Sequence, residues 1–107
     1  MADFEVLWTD EARLDLRRIA AFIAEESPAL ARAVVDKVEH RCHALVAFPE
    51  RGRVVPELRA LDVLVYRELV EGPWRIVYRY EAGRVYVTAV LDARRDLSSL
   101  LLERLVR

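Results

Sequence analysis

Arg75 lies inside an apolar run, between Trp74 and Ile76 in "PWRIVYRY", and the pair Arg94-Arg95 follows the next alternating segment in "VLDARRD". A guanidinium in such a place has three uses. It can hold an anionic reacting group, contact a partner, or reach water along its own apolar stem. Arg67, in "VYRELV", poses the same question. For Arg67 and Arg75 the plain reading, an exposed strand residue with a wet head, stands open beside the functional one. Arg94-Arg95-Asp96 likewise reads either as a partner contact or as a solvated strand end, with Asp96 capping the helix that follows. His40 and His43 are spaced i and i+3, with Glu39 and Cys42 adjacent, a spacing that could seat a metal. Only two good ligands would point one way and no third is identifiable. They read as solvent-facing side chains, and no metal or cofactor is expected. Cys42, the one cysteine, cannot form an internal disulfide and reads as an inert helix thiol. Trp8 and Trp74 read as core or rim residues, not as platforms for stacked bases.

The elements that must position these groups follow from pattern. "FEVLW", Phe4 to Trp8, is a short strand. Thr9 is a helix N-cap with Asp10 and Glu11 in the first turn, where the helix dipole favours acids. Ala12, Leu16, Ile19, Ala20 and Ile23 then share a helical face, and this helix ends near Glu26. Ser27 caps a second helix with Pro28 at its first position. Its apolar stripe is Ala31, Val34, Val35, Val38, Cys42 and Leu45, and Pro49 closes it. So short a junction makes the two helices an antiparallel hairpin. Residues 50–61 read as a loop with at most one short turn. Three strands follow: Val63 to Val70, Trp74 to Tyr80 and Val85 to Leu91. Glu71-Gly72-Pro73 and 81–84 make the turns, the second with Gly83 at positive φ. Strands in sequence joined by short turns form an antiparallel meander. "DLSSLLLERLVR" has leucines at helical spacing and packs on the protein's own core. The fold class is therefore α+β in the order β-α-α-β-β-β-(α), a helix hairpin packed on a small, mainly antiparallel sheet. Two layers are expected: the hairpin is the only cover for one sheet face, and the other face has to meet water.

Residues 1–107 read as a single domain, with 97–107 as a C-terminal helix or tail; no repeat or linker divides them. The start is acidic where a secretory leader would be basic and apolar, and no run is long enough to span a bilayer, so a cytoplasmic protein without membrane contact is expected. Net charge is −1 and the pI about 6.1. Residues 1–48 carry six Lys/Arg against nine Asp/Glu, and residues 49–107 carry eleven against nine. A protein that lives on nucleic acid needs a clear cationic excess to neutralise phosphate, and that excess is missing here.

With its residues, the order of elements resembles the RelE/ParE superfamily of bacterial toxins from toxin–antitoxin pairs. The resemblance spans Val6 to Asp96. Its pieces are "WTDEARLDL" opening the first helix, "SPALAR" opening the second, and "LVAFPERGRVVPEL" after it. "YREL", "WRIVY" and "VLDARRD" then mark the three meander strands. The order of the pieces carries the resemblance.

Two activities divide the superfamily, and by resemblance they make different demands on this chain. RelE-like members cleave messenger RNA in the ribosome. ParE-like members share the fold but poison DNA gyrase and lack the nuclease groups. Metal-free RNA cleavage needs a proton acceptor for the 2′-OH, a donor for the leaving oxygen and cations on the phosphate. Arg75 falls on the family's arginine in "WRIVY" and Arg67 on the arginine of the strand before. Where many members have a histidine at the end of the last strand, this chain has Asp92, an anion that would repel the scissile phosphate. Both histidines lie on the second helix instead. The resemblance thus implies a ParE-like toxin with no catalytic residues, a gyrase-binding inhibitor whose target contacts include Arg75, Arg94 and Arg95. Its partners would be gyrase and a ParD-like antitoxin, with sequence-specific DNA contact only through the antitoxin complex. The alternative is a RelE-like ribonuclease with Arg67, Arg75 and Arg95 on phosphate and Tyr86 or Tyr66 moving the proton.

Overall fold

A computed structural model of the chain describes residues 3–95 and 97–105. The chain opens with strand β1, Glu5–Trp8, and helix α1, Asp10–Ala24. The Thr9 hydroxyl accepts the Ala12 N–H at 3.1 Å and starts α1 as its sequence predicts. Helix α2, Pro28–His43, starts the same way, with Ser27 Oγ accepting the Leu30 N–H at 3.1 Å. A 3-10 turn, Ala44–Val46, extends it. A two-residue strand β2, Arg53–Val54, and a single-turn helix α3, Pro56–Arg59, occupy the segment expected as loop. The meander follows as β3, Arg67–Glu71, β4, Trp74–Glu81, and β5, Arg84–Asp92. Helix α4, Leu97–Leu105, ends the described chain. No helix among the described residues is long and apolar enough to cross a membrane.

The five strands lie in the order β1-β5-β4-β3-β2. All pairs are antiparallel except β1 with β5, which runs parallel from Glu5 beside Arg84 to Trp8 beside Val87. The β4–β5 hairpin turns at Ala82-Gly83, both at positive φ (50° and 77°), as a two-residue hairpin loop requires. A register shift at Val77/Tyr78 leaves Thr88 opposite no residue of β4, and its hydroxyl binds the Val77 carbonyl at 3.1 Å instead.

Alternation along the strands fills two cores, one on each face. Ile76, Tyr78, Val85 and Val87 meet Ala12, Val38, Cys42 and Leu45 under the helix hairpin. Val77, Ala89 and Leu91 point the other way and meet Val55, Leu58, Leu97 and Leu101. The second face of the meander is therefore dry, against the expectation that it faces water. Three inward apolar residues on that face call for a cover, and α3 with α4 supplies it. Arg104 fastens α4 to the first layer: its guanidinium reaches Asp15 at 2.8 Å and Glu11 at 2.6 Å on α1.

The first meander strand begins four residues later than the apolar pattern predicts. Asp62 turns left-handed at φ 64°, and the Val63 N–H then bonds the Leu58 carbonyl at 2.9 Å, closing α3. Val63 and Tyr66 pack on the second core, while Leu64 and Val65 stand exposed. An apolar run serves here as a loop flap: its first N–H is taken by the turn, and its Tyr66 carbonyl accepts the Val55 N–H at 3.0 Å.

If α4 seals the second face, its central leucine carries the seal. Leu101→Ala, at a fully buried site, lowers unfolding free energy by about 3 kcal/mol in urea titration, while exposed Ser99→Ala changes it by less than about 0.5 kcal/mol.

Candidate functional site

Arg75 is buried on the second sheet face, cross-strand from Val70 and Leu91. Its two terminal nitrogens donate to Glu57 at 2.6 and 2.7 Å, and its Nε donates to Glu68 Oε1 at 2.7 Å. Arg53 donates its Nε to the other oxygen of Glu68, also at 2.7 Å. Glu68 is itself fully buried and Arg75 nearly so, while Glu57 is half-buried and Arg53 exposed, so two arginines and two glutamates cancel from the interior out to the surface. Each carboxylate comes from a different local device. Pro56 starts α3 and sets Glu57 over the sheet, β3 brings Glu68, and the two residues of β2 bring Arg53 alongside it. The fork of Arg75 matches Glu57 two-pronged, the strongest form of such a bond. That bond holds the Glu57 carboxyl below its ordinary value and raises the Arg75 guanidinium above its own.

A second cluster fixes the 49–53 loop against the sheet. The Gly52 N–H donates to Tyr78 Oη at 2.9 Å, and the Tyr78 hydroxyl donates to the Pro49 carbonyl at 2.6 Å. Burial pushes the Tyr78 phenol up. A Cβ on Gly52 would collide with the Glu68 carbonyl and stand 2.7 Å from Tyr78 Oη, so only glycine fits. Arg67 donates to the Gly52 carbonyl at 2.8 Å. It pairs with Tyr78 across the ladder and shares its face, which is opposite to that of Glu68 and Arg75.

The residues named for phosphate chemistry therefore do not converge. Arg67 and Arg75 stand on opposite faces. Tyr86 lies cross-strand from Arg79, whose guanidinium sits over its ring at 4.6 Å. That is four ladder positions from Arg75, about 13 Å at the rise of a strand. Tyr66 packs on the second core. Arg95 is exposed beyond the end of β5, and no ion pair within 4 Å engages its guanidinium among the described residues. Asp92 takes Arg94 through its backbone N–H, Nε and Nη2 at 2.9, 3.0 and 2.7 Å, which draws its carboxyl down to about 2. It is an anion at neutral pH. The capping role expected of Asp96 lies outside the described residues. His40 and His43 are exposed on α2, and burial pushes the Cys42 thiol up to about 12. Sequence reasoning missed Arg53, Glu57 and Glu68. An acid and a base at apolar-phase positions of neighbouring strands, Glu68 and Arg75, was the available signal.

Two recesses run along the seam of α1 and α2 and share Ala20, Val35 and Glu39. Their volumes are about 360 and 500 Å³, and small residues, Ala21, Ala24 and Ala31, line the larger one. At the far edge of the sheet β2 covers only Arg67 and Glu68, so the outer side of β3 from Leu69 to Glu71 has no strand beside it.

Truncating one partner of a buried ion pair strands the other charge. Arg75→Ala lowers stability by about 3–5 kcal/mol, and a joint Arg75→Met, Glu68→Leu exchange recovers most of it. The pH dependence has a definite sign. Glu57 is held below its ordinary value of 4.5, so its contribution is complete above that pH and is lost as pH falls through its lowered value. Urea unfolding between pH 7 and pH 2 shows this acid limb shallower in Glu57→Gln than in the parent.

The chain matches the family model described as the ParE toxin of the type II toxin–antitoxin system parDE, over residues 6–97. It is similar to Toxin ParE3 of Caulobacter vibrioides, 31% identical over 88 residues that cover 81% of this chain and 84% of that protein. In structure it resembles a chain of the chromosomal ParDE system from P. aeruginosa, with TM-score 0.71 and 18% identity over 85% of this chain and 97% of that one. It also resembles a chain of the RelBE2 toxin–antitoxin complex from Mycobacterium tuberculosis, with TM-score 0.59 and 23% identity over 86% and 93%. These two likenesses speak to the fold. The match over residues 6–97 and the curated relative speak to descent: this chain belongs to the ParE toxin family of type II toxin–antitoxin systems.

Proposed function

We propose that this toxin stops replication by binding DNA gyrase, and that a ParD-like antitoxin encoded beside it neutralises it. One observation carries the choice of gyrase over messenger RNA. Arg75, the arginine that a ribonuclease reading needs on the phosphate, is occupied by Glu57 and Glu68. An RNA phosphate would have to displace two carboxylates, one of them buried, and leave Glu68 an unpaired charge. Asp92, which stands where many family members have a histidine, is an anion cross-strand from Trp74 on the face of the sheet opposite Arg75, and both histidines are exposed on α2. In this reading the chain has no catalytic residues and uses no cofactor. It acts as a cytoplasmic binding inhibitor.

The antitoxin reading rests on two surfaces. The seam of α1 and α2 has small residues between charged ones and can take an amphipathic stripe, and the outer side of β3 can accept one more strand once Arg41 of α2 releases the Val70 carbonyl. An antitoxin tail that is disordered when free can wrap both surfaces. It folds as it binds and is released by proteolysis.

Negative supercoiling by purified gyrase is the direct assay. Excess toxin abolishes it and equimolar antitoxin restores it, while a defined message stays intact in a translation mixture containing the same toxin. Undiminished supercoiling overturns the target, and message cleavage that vanishes in Arg75→Ala replaces it with the ribosome.

A further inference from the structure

Helix α1 separates two hollows. Its Arg13, Leu16, Arg17 and Ala20 flank faces the α2 seam. Its other flank, Asp15, Arg18, Ile19 and Phe22 at i, i+3, i+4 and i+7, walls a recess of about 500 Å³ against Trp74 and the end of β5. Phe22 is 75% exposed, the most exposed large apolar side chain among the described residues. Arg94 and Arg95 stand at the opposite wall.

The charges in this recess do not cancel. Asp15 is taken: it accepts the Val90 N–H at 3.0 Å and the Arg104 guanidinium at 2.8 Å. Asp92 is taken by Arg94. Arg18 and Arg95 are exposed; no ion pair within 4 Å engages either guanidinium among the described residues, and the charge of Arg95 reaches Asp92 only at longer range, beside Arg94. What remains free is positive charge on two forks, beside an exposed phenyl ring and a half-buried indole. Tryptophan, aromatic and arginine side chains around a hollow are the composition of a binding hot spot.

We infer that this recess receives an acidic protein segment. The segment seats an apolar or aromatic side chain against Phe22 and Trp74, and its carboxylates meet Arg18 and Arg95. A carboxylate matches the arginine fork two-pronged. Nucleic acid fits less well. Affinity for a phosphate backbone is built from many neutralised phosphates, whereas this recess offers two free cations on a chain of net charge −1. The recess lies on the flank of α1 away from the antitoxin seam, so a target segment can bind where the antitoxin's amphipathic stripe does not. As a statement about the target this deepens the gyrase reading and rests on it; as a statement about the surface it does not.

The test uses the whole chain in three forms: Arg18→Glu with Arg95→Glu, Phe22→Ala, and a control, Arg59→Glu, at an exposed position of α3 outside the recess and the seam. Each is assayed for growth arrest on induction without antitoxin, for inhibition of supercoiling, for binding to a DNA duplex and for thermal midpoint. The double reversal and Phe22→Ala each raise the toxin concentration for half inhibition by about tenfold or more, with the thermal midpoint kept, and the control stays within about twofold. Variants that arrest growth and block gyrase as the parent does overturn the recess. Loss of growth arrest in both variants, with a parent that never inhibits gyrase, keeps the recess and overturns gyrase as target. Parent binding to the duplex that disappears in the double reversal overturns the protein occupant in favour of nucleic acid. A parent that neither arrests growth nor blocks gyrase overturns both readings.

Discussion

Three carboxylate–guanidinium contacts around Glu68 and Arg75 tie helix α3 to strands β2, β3 and β4, adding to the strand ladder and to the packing of Val55 and Leu58. Arg53 on β2, Glu57 on α3, Glu68 on β3 and Arg75 on β4 form one neutral set. Taking such charges out of water is costly, and the cost is offset only when every member is paired. The pairing fixes α3 over the sheet, which lets Leu58 and Val55 meet Val77 and Leu91. It also decides the chemistry of the second face. A surface that could have been cationic and wet is neutral and closed, with α4 laid across it. The same set depends on Gly52, where the loop that carries Arg53 passes too close to Glu68 and Tyr78 for any side chain.

Much of the scaffold was legible because it is local. Thr9 and Ser27 cap their helices as their positions imply, and the apolar stripe of α2 is the one that reaches the core. The faces of β4 follow from alternation: Ile76 and Tyr78 point to the hairpin, Val77 to the other side. What was not legible is long-range. Whether Arg75 reaches water or a carboxylate depends on Glu57, 18 residues away on a helix of one turn that lies in a segment read as loop. The apolar run 63–66 has the composition of a strand, yet the left-handed Asp62 spends its first N–H on α3. The facing of Arg67 turned on a register of one residue, which composition does not fix. Of the candidate target contacts, Arg94 and Arg95 border the α1 recess, and Arg18 and Phe22, which no pattern in the sequence singles out, line it beside them.

The division of labour follows from this. With the central face sealed, the open surfaces among the described residues are peripheral, and they include the α1–α2 seam, the outer side of β3, the recess on the other flank of α1 and a hollow between Phe4, Phe48 and Tyr80. Beyond Trp8, β1 no longer covers β5, and Asp15, Arg104 and Thr9 take up the backbone groups of Val90 and Thr88. That edge is closed to an added strand by three side chains, whereas at the β3 edge Arg41 alone reaches the Val70 carbonyl.

The side-chain Nε–H of Arg75 reports on the central claim directly. In 15N-labelled protein at neutral pH, the Arg75 Nε–H resonance exchanges slowly with water, because Glu68 holds the proton in a buried bond, and it does not move when a single-stranded ribonucleotide oligomer is titrated in. A resonance that exchanges fast, or that shifts with RNA in saturable fashion, contradicts the account: the guanidinium would then be free to leave its carboxylates for a phosphate.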